Sequence, residues 1–221
     1  MIVSEVMQTR LPVLAPETEL DSVVPEDYPS GIHYAPVVSE KQFLGFLFLD
    51  DLEAERDSYR TVGEASLEET DVRIDRNLHI FQVVPLFQKA GLPVLPVVDE
   101  KKEYSGVVLQ DAVVSFLSRS YSFTTEGAVV VLSVPFNSYS LAEIARLVES
   151  NQAKILSSLV ESDPHAGQNL LLHIKLNVED ASRVVATLER FGYQILDVFH
   201  KSETTSLDQE RLDQLFKYLG M

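Results

Sequence analysis

The sequence predicts an α+β chain: two copies of a βαββα unit, then a βαββαβ plait, then a C-terminal helix. Three observations carry this reading. Landmark residues recur at a spacing of 60 within residues 1–120. Beyond residue 127 the pattern alternates β-rich runs with segments of helical period. From Leu207 to Leu219 the apolar residues Leu212, Leu215, Phe216 and Leu219 fall on one helical face. The 221 residues allow about one or two domains with real cores.

The repeat organises the first half. Val23-Val24-Pro25 returns as Val83-Val84-Pro85, Gly31 as Gly91, and Pro36-Val37-Val38 as Pro96-Val97-Val98. After one inserted residue, Gly45 through Asp50 returns as Gly106 through Asp111. Several landmarks in one order mark a duplicated unit, divided as residues 1–60 and 61–120. Each copy opens with a short apolar segment, Leu11–Leu14 or Asp71–Ile74. A helical stretch follows, clearest in the second copy as Leu78, Phe81, Gln82, Pro85 and Leu86. Proline shortens or kinks that helix by removing a donor and crowding the preceding turn. The first copy adds Pro29, so its helix is expected to be poor. Gly31 and Gly91 suit a helix end.

Two apolar strands come next in each copy, joined by the polar turns Ser39–Gln42 and Asp99–Glu103. A closing helix is expected near Asp50 and near Asp111, the second with Ala112, Val113, Phe116 and Leu117 as its apolar stripe. Glu68 and Glu69 read as a solvated connector between the copies.

These residues resemble a tandem pair of CBS domains. The likeness rests on Gly31-Ile-His-Tyr-Ala-Pro-Val-Val38 and Gly91-Leu-Pro-Val-Leu-Pro-Val-Val-Asp99, each followed by a glycine, apolar residues and an aspartate opening a helix. Ser4-Glu-Val-Met7 is similar to the family's start. The resemblance implies two pseudo-symmetric units with clefts for ATP, ADP, AMP or adenosylmethionine. The family's ligand motif runs glycine, two apolar residues, a hydroxyl, two variable residues, then aspartate. Gly45 and Asp51 fit it, but Phe48 stands at the hydroxyl position. Gly106 fits, but Leu109 and Ala112 replace the hydroxyl and the aspartate, and Asp111 comes one residue early. The implied nucleotide-binding residues are Asp51, Asp50, His33, Tyr34, Gly45, Asp111 and Gly106. Asp50, Asp51 and Asp111 read equally as helix caps.

Residues 121–127 read as a linker ending in Gly127. Ala128–Val134 is rich in β-branched residues and reads as a strand. Leu141, Ile144, Ala145 and Val148 mark a helix, with Ser140 and Glu143 spaced for a capping box. Strands at 154–160 and 169–176 flank a turn, and Ala181, Val184, Val185 and Leu188 form a second helical face that Gly192 stops. A last strand over 193–199 completes a ferredoxin-like βαββαβ order within residues 128–200. This half is similar to an ACT domain through Ser140–Val148, Ala153–Ser158 and Asp180–Tyr193. Such domains bind amino acids or pair with one another at the loop after the first strand. Asn137 and Ser138 are the candidate small-ligand residues, while Tyr139 stands where a glycine is expected. The order of the parts resembles acetoin-utilisation B type CBS–ACT proteins. A tail helix is expected within residues 201–221.

Charge and composition narrow the function. With 18 basic and 34 acidic residues the formal charge is −16, which disfavours nucleic acid and anionic membrane as partners. No cysteine is present, so disulfides, thiolate metal sites and thiol catalysis are excluded. No basic segment followed by an apolar run opens the chain, and the expected location is cytoplasmic. The five histidines, His33, His79, His165, His173 and His200, are not spaced as a local metal site. No Walker loop, Gly-x-Ser-x-Gly or His-Glu-x-x-His occurs. The expectation is a non-catalytic regulatory sensor without metal or cofactor, acting as a homodimer. The alternative is a structural or interaction dimer whose clefts have lost their ligands.

Overall fold

Val37 and Val97 each accept a parallel bridge from a partner sixty residues apart, Leu14 and Ile74, and each is followed by a β-bulge. Equal sequence spacing has thus produced equal geometry. The computed structural model describes residues 1–164 and 167–199, which divide between a unit spanning Met1–Leu117 and a second beginning at Ser118. The tail helix expected within 201–221 lies outside the described residues, as do His165 and His200.

In the first unit, β1 (Tyr34–Ser39) and β2 (Gln42–Phe48) form an antiparallel hairpin, and a 3-10 turn leads into α1 (Leu52–Ser58). The short β3 (Leu67–Glu68) adds to β2. In the second copy, β4 (Ile74–Asp75) precedes α2 (Ile80–Ala90), the hairpin β5 (Val94–Val98) and β6 (Tyr104–Leu109), and α3 (Gln110–Ser118). The two three-stranded sheets have the orders β1-β2-β3 and β4-β5-β6.

The leading segments are exchanged between copies. Glu68 pairs with Phe46 in the first hairpin, while Gln8 bridges Val107 in the second. Val3 is fully buried in the second copy's core beside Ile74, Ile80 and Val83, and Val62 is fully buried in the first copy's core beside Leu20 and Leu47. A division at residue 60 therefore cuts across the packing, because each copy completes the other's sheet. Glu68, expected in a solvated connector, is a strand residue.

Helix quality follows proline content. The region from Leu20 to Asp27 holds only two 3-10 turns, as Pro25 and Pro29 predict, whereas α2 tolerates Pro85 on its exposed side. Its buried face is Ile80, Val83 and Phe87, one step out of phase with the predicted stripe, and Phe81 is exposed. The phase is set by His79 at the N-cap. Its Nδ1 accepts from the Phe81 N–H at 3.2 Å, and Gln82 Oε1 accepts from the His79 N–H at 3.0 Å. Gly91 ends α2 in the left-handed region at φ 70°.

An apolar seam joins the copies. Phe46 and its counterpart Val107 are fully buried there, together with Leu11, Phe43, Leu92 and Val94. Phe43 and its counterpart Tyr104 stack at 6.1 Å between ring centres. Burial of this kind contributes roughly 25 cal/mol per Å² of apolar surface, so the seam stabilises the pair as one body.

The second unit starts with α4 (Tyr121–Thr124), a helical turn within the expected linker, whose Ser122 hydroxyl donates to the Leu156 carbonyl at 2.7 Å. Then come β7 (Val129–Pro135), α5 (Leu141–Glu149), β8 (Ile155–Ser162), β9 (Asn169–Leu176), α6 (Ser182–Arg190) and β10 (Gln194–Phe199). The sheet order is β10-β7-β9-β8 with every pair antiparallel, the ferredoxin-like plait. Val130, Leu132 and Val134 on β7 and Leu172, Ile174 and Leu176 on β9 alternate inward to meet Ile144, Val148, Val184 and Leu188 of the helices. Only half of the expected capping box forms. Ser140 Oγ accepts from the Glu143 N–H at 3.3 Å, but the Glu143 carboxylate instead accepts from the Tyr193 hydroxyl at 3.0 Å. No helix among the described residues is long and apolar enough to cross a membrane.

Candidate ligand pocket at the seam of the repeats

The repeat places two pairs of residues in equivalent positions. The Leu49 N–H donates to the His33 carbonyl at 2.9 Å, and the Gln110 N–H donates to the Pro93 carbonyl at 2.8 Å. His33 and Pro93 are therefore counterparts, as are Asp50 and Asp111. Between them lies a pocket of about 80 Å³ lined by Gly31 to Tyr34, Pro93, Val94 and Leu109 to Asp111. Both copies supply its walls.

Charge is distributed unequally across it. His33 Nδ1 lies 2.8 Å from Asp50 Oδ1, with both side chains about half exposed (52% and 55%). The second copy has Pro93 where the first has a histidine, so Asp111 lines the pocket with no basic partner among the described residues. His33 is the one lining side chain able to carry a positive charge. Burial first, and then the nearby Glu68 and Asp50 carboxylates, raise the Tyr34 phenol above its ordinary value.

The structure brings together His33, Tyr34, Asp50 and Asp111. Asp51 is at the N-cap position of α1, exposed and absent from the pocket lining, and its side chain makes no capping bond. The two motif glycines have a packing reason for their identity. A β-carbon on Gly45 would sit 3.0 Å from the Leu67 β-carbon, and one on Gly106 would sit 2.4 Å from the Gln8 carbonyl oxygen. They make room for the exchanged strands, and neither lines the pocket. Phe48, at the hydroxyl position of the motif, packs on Tyr34 with ring centres 5.0 Å apart, and Leu109 forms pocket wall. Pro93 and Gln110 were missed by sequence reasoning. The offset of 60 from His33 would have pointed to Pro93.

On the plait, Asn137 and Ser138 face different spaces. Asn137 lines a cavity of about 460 Å³ with Ser162, Gln168 and Asn169, while Ser138 lines one of about 250 Å³ with Ser133, Glu143 and Tyr193. Ser138 Oγ donates to the Pro135 carbonyl at 3.2 Å, a local turn contact. Tyr139, at the expected glycine position, packs against the plait core. Among the described residues no group of three or more His, Asp or Glu is placed to hold a metal ion.

No curated protein matches the chain. Similar solved structures include CBSX2 in complex with AMP, at 20% identity and TM-score 0.45, covering 52% of this chain and 95% of that one. The CBS domain of a bacterial CNNM/CorC family Mg2+ transporter in complex with ATP is 20% identical at TM-score 0.43, covering 52% and 85%. A CBS domain pair/ACT domain protein from Thermotoga maritima is 20% identical at TM-score 0.45, covering 55% and 99%. The CBS domain family matches residues 66–119, the stretch from β3 to the end of α3. The chain thus contains a CBS domain.

Proposed function

We propose that residues 1–120 act as a CBS pair sensing an adenosyl-type ligand, an adenine nucleotide or adenosylmethionine, in a non-catalytic regulatory protein. The carrying observation is the pocket between the repeats, walled by both copies and lined by His33, which pairs with Asp50, and by Asp111, which has no basic partner among the described residues. A carboxylate there is suited to accept from ribose hydroxyls. Asp111 lines the pocket and Asp51 does not, which supports Asp111 as the ligand carboxylate in this reading.

The space of about 80 Å³ is smaller than the roughly 300–1,000 Å³ of ordinary small-molecule sites. A ligand enters by parting the first-copy wall, Gly31 to Tyr34, from the second-copy wall, Pro93, Val94 and Leu109 to Asp111, which shifts one repeat against the other along the Phe46–Val107 seam. Occupancy therefore biases the relative placement of the copies. A differential affinity of ~1–3 kcal/mol between two placements suffices for regulation. In this reading residues 128–200 form an ACT-type module that dimerises or takes a small ligand near Asn137 and Ser138, and the protein works as a cytoplasmic homodimer.

Melting temperature measured with millimolar AMP, ADP, ATP and adenosylmethionine tests the reading. A saturating ligand at 100 times its Kd adds about 2.7 kcal/mol of stability. No shift with any of the four points instead to a structural dimer with a closed cleft, the reading favoured by the packing of Phe48 on Tyr34.

A further inference from the structure

We infer that the seam pocket selects a nucleoside whose appendage is uncharged or cationic, and rejects the phosphorylated forms. This deepens the functional reading above and rests on it.

The inference comes from how the two copies differ at equivalent positions. In the first copy Asp50 has a histidine against it at 2.8 Å, so its charge has a local partner. In the second copy the counterpart of that histidine is Pro93, which offers no donor, and the Asp111 carboxylate faces the pocket without a basic partner among the described residues. No lysine or arginine lines the pocket. Phosphate recognition normally uses such side chains, a hydroxyl, or the free N–H groups of a helix start. Here the hydroxyl positions hold Phe48 and Leu109, and carboxylates stand at the helix starts, Asp50 and Asp51 before α1 and Asp111 in the first turn of α3, so an anion approaching either start meets negative charge. A phosphate entering beside Asp111 would meet like charge. Glu68 and Asp50, both acting on Tyr34, extend the negative field along the wall. The surrounding residues 1–120 carry 10 basic and 21 acidic side chains, so nothing at longer range offsets it. A sulfonium or ammonium group beside Asp111 gains where a phosphate loses.

Calorimetric titration of the full chain with adenosine, adenosylmethionine, AMP and ATP tests this. The expected order of affinity is adenosylmethionine first, adenosine next, and AMP and ATP last. Asp111→Asn should reduce the preference for adenosylmethionine over AMP about tenfold. Glu100→Gln, which removes one exposed charge in the β5–β6 turn, should leave that preference unchanged. AMP or ATP binding more tightly than adenosylmethionine overturns the charge selection while leaving the sensor reading intact. Asp111→Asn with an unaltered preference overturns the role of Asp111. Failure of all four ligands to bind overturns both.

Discussion

The Gln8 carbonyl oxygen crosses Gly106 so closely that a β-carbon on the glycine would lie 2.4 Å from it. Gly106 also holds φ 147°, in the region that favours glycine. The exchanged N-terminal strand therefore depends on the absence of a side chain here. Gly106→Ala should cost about 2–4 kcal/mol, through backbone strain and displacement of the Gln8–Val107 bridge. Gly45→Ala, whose nearest contact would be the Leu67 β-carbon at 3.0 Å, should cost less. Urea midpoints of the two variants check the ranking.

The seam between repeats gives a second expectation. Phe46 is fully buried in a cluster that also holds Leu92, Val94 and Val107 of the second copy, and its ring centre lies 4.7 Å from Phe43 and 6.2 Å from Tyr34 of its own copy. Phe46→Ala should destabilise the unit by about 3–5 kcal/mol and abolish any ligand-induced shift in melting temperature. Loss of stability with full ligand response would show that the seam does not transmit occupancy.

Tyr28 offers an opposite case. It is 7% exposed and its hydroxyl finds no hydrogen-bond partner among the described residues. A buried unsatisfied hydroxyl costs free energy that a phenyl ring avoids, so Tyr28→Phe should stabilise by about 1–2 kcal/mol. Thermal or chemical unfolding reads this directly. A destabilised variant would show that the hydroxyl is satisfied in solution.

The tyrosines also set the alkaline limit. Burial, with a smaller contribution from Asp27, holds the Tyr28 phenol up to about 12. Burial, then the hydrogen bond to Glu143, does the same for Tyr193, which reaches about 12. Burial raises Tyr104 too. The folded state thus keeps protons that the unfolded chain releases near the ordinary value of 10.0. Stability is fully present below about pH 10 and is lost as pH climbs toward about 12. Urea midpoints at several pH values should fall over that window, and Tyr193→Phe should flatten the fall.

Much of this architecture was legible because its determinants are local and periodic. The spacing of 60 located both hairpins, and Pro25 and Pro29 foretold the weak first helix, while the matching bulges after Val37 and Val97 emerged only in the structure. Alternation along Val129–Pro135 and Asn169–Leu176 located the two central plait strands. What stayed hidden depends on contacts distant in sequence. No local pattern says that Gln8 lies on β6 or that Glu68 joins β2, so the copies appeared self-contained and the exposed Glu68 looked like connector and not like strand. The helix phase was misread because Phe81 is apolar yet exposed, and the cap at His79 fixes the turn. At the site, the resemblance named Asp51, Asp111 and the two glycines alike; of these Asp111 alone lines the pocket, and the glycines have a packing role.

Backbone amide shifts of the isotope-labelled full chain, followed while adenosylmethionine is added, reach the central claim most directly. The account predicts perturbations concentrated at Gly31–Tyr34, Val94 and Leu109–Asp111, with smaller ones along the seam at Phe46 and Val107. Unchanged amides at those positions under millimolar ligand, or shifts confined to the plait, would contradict it.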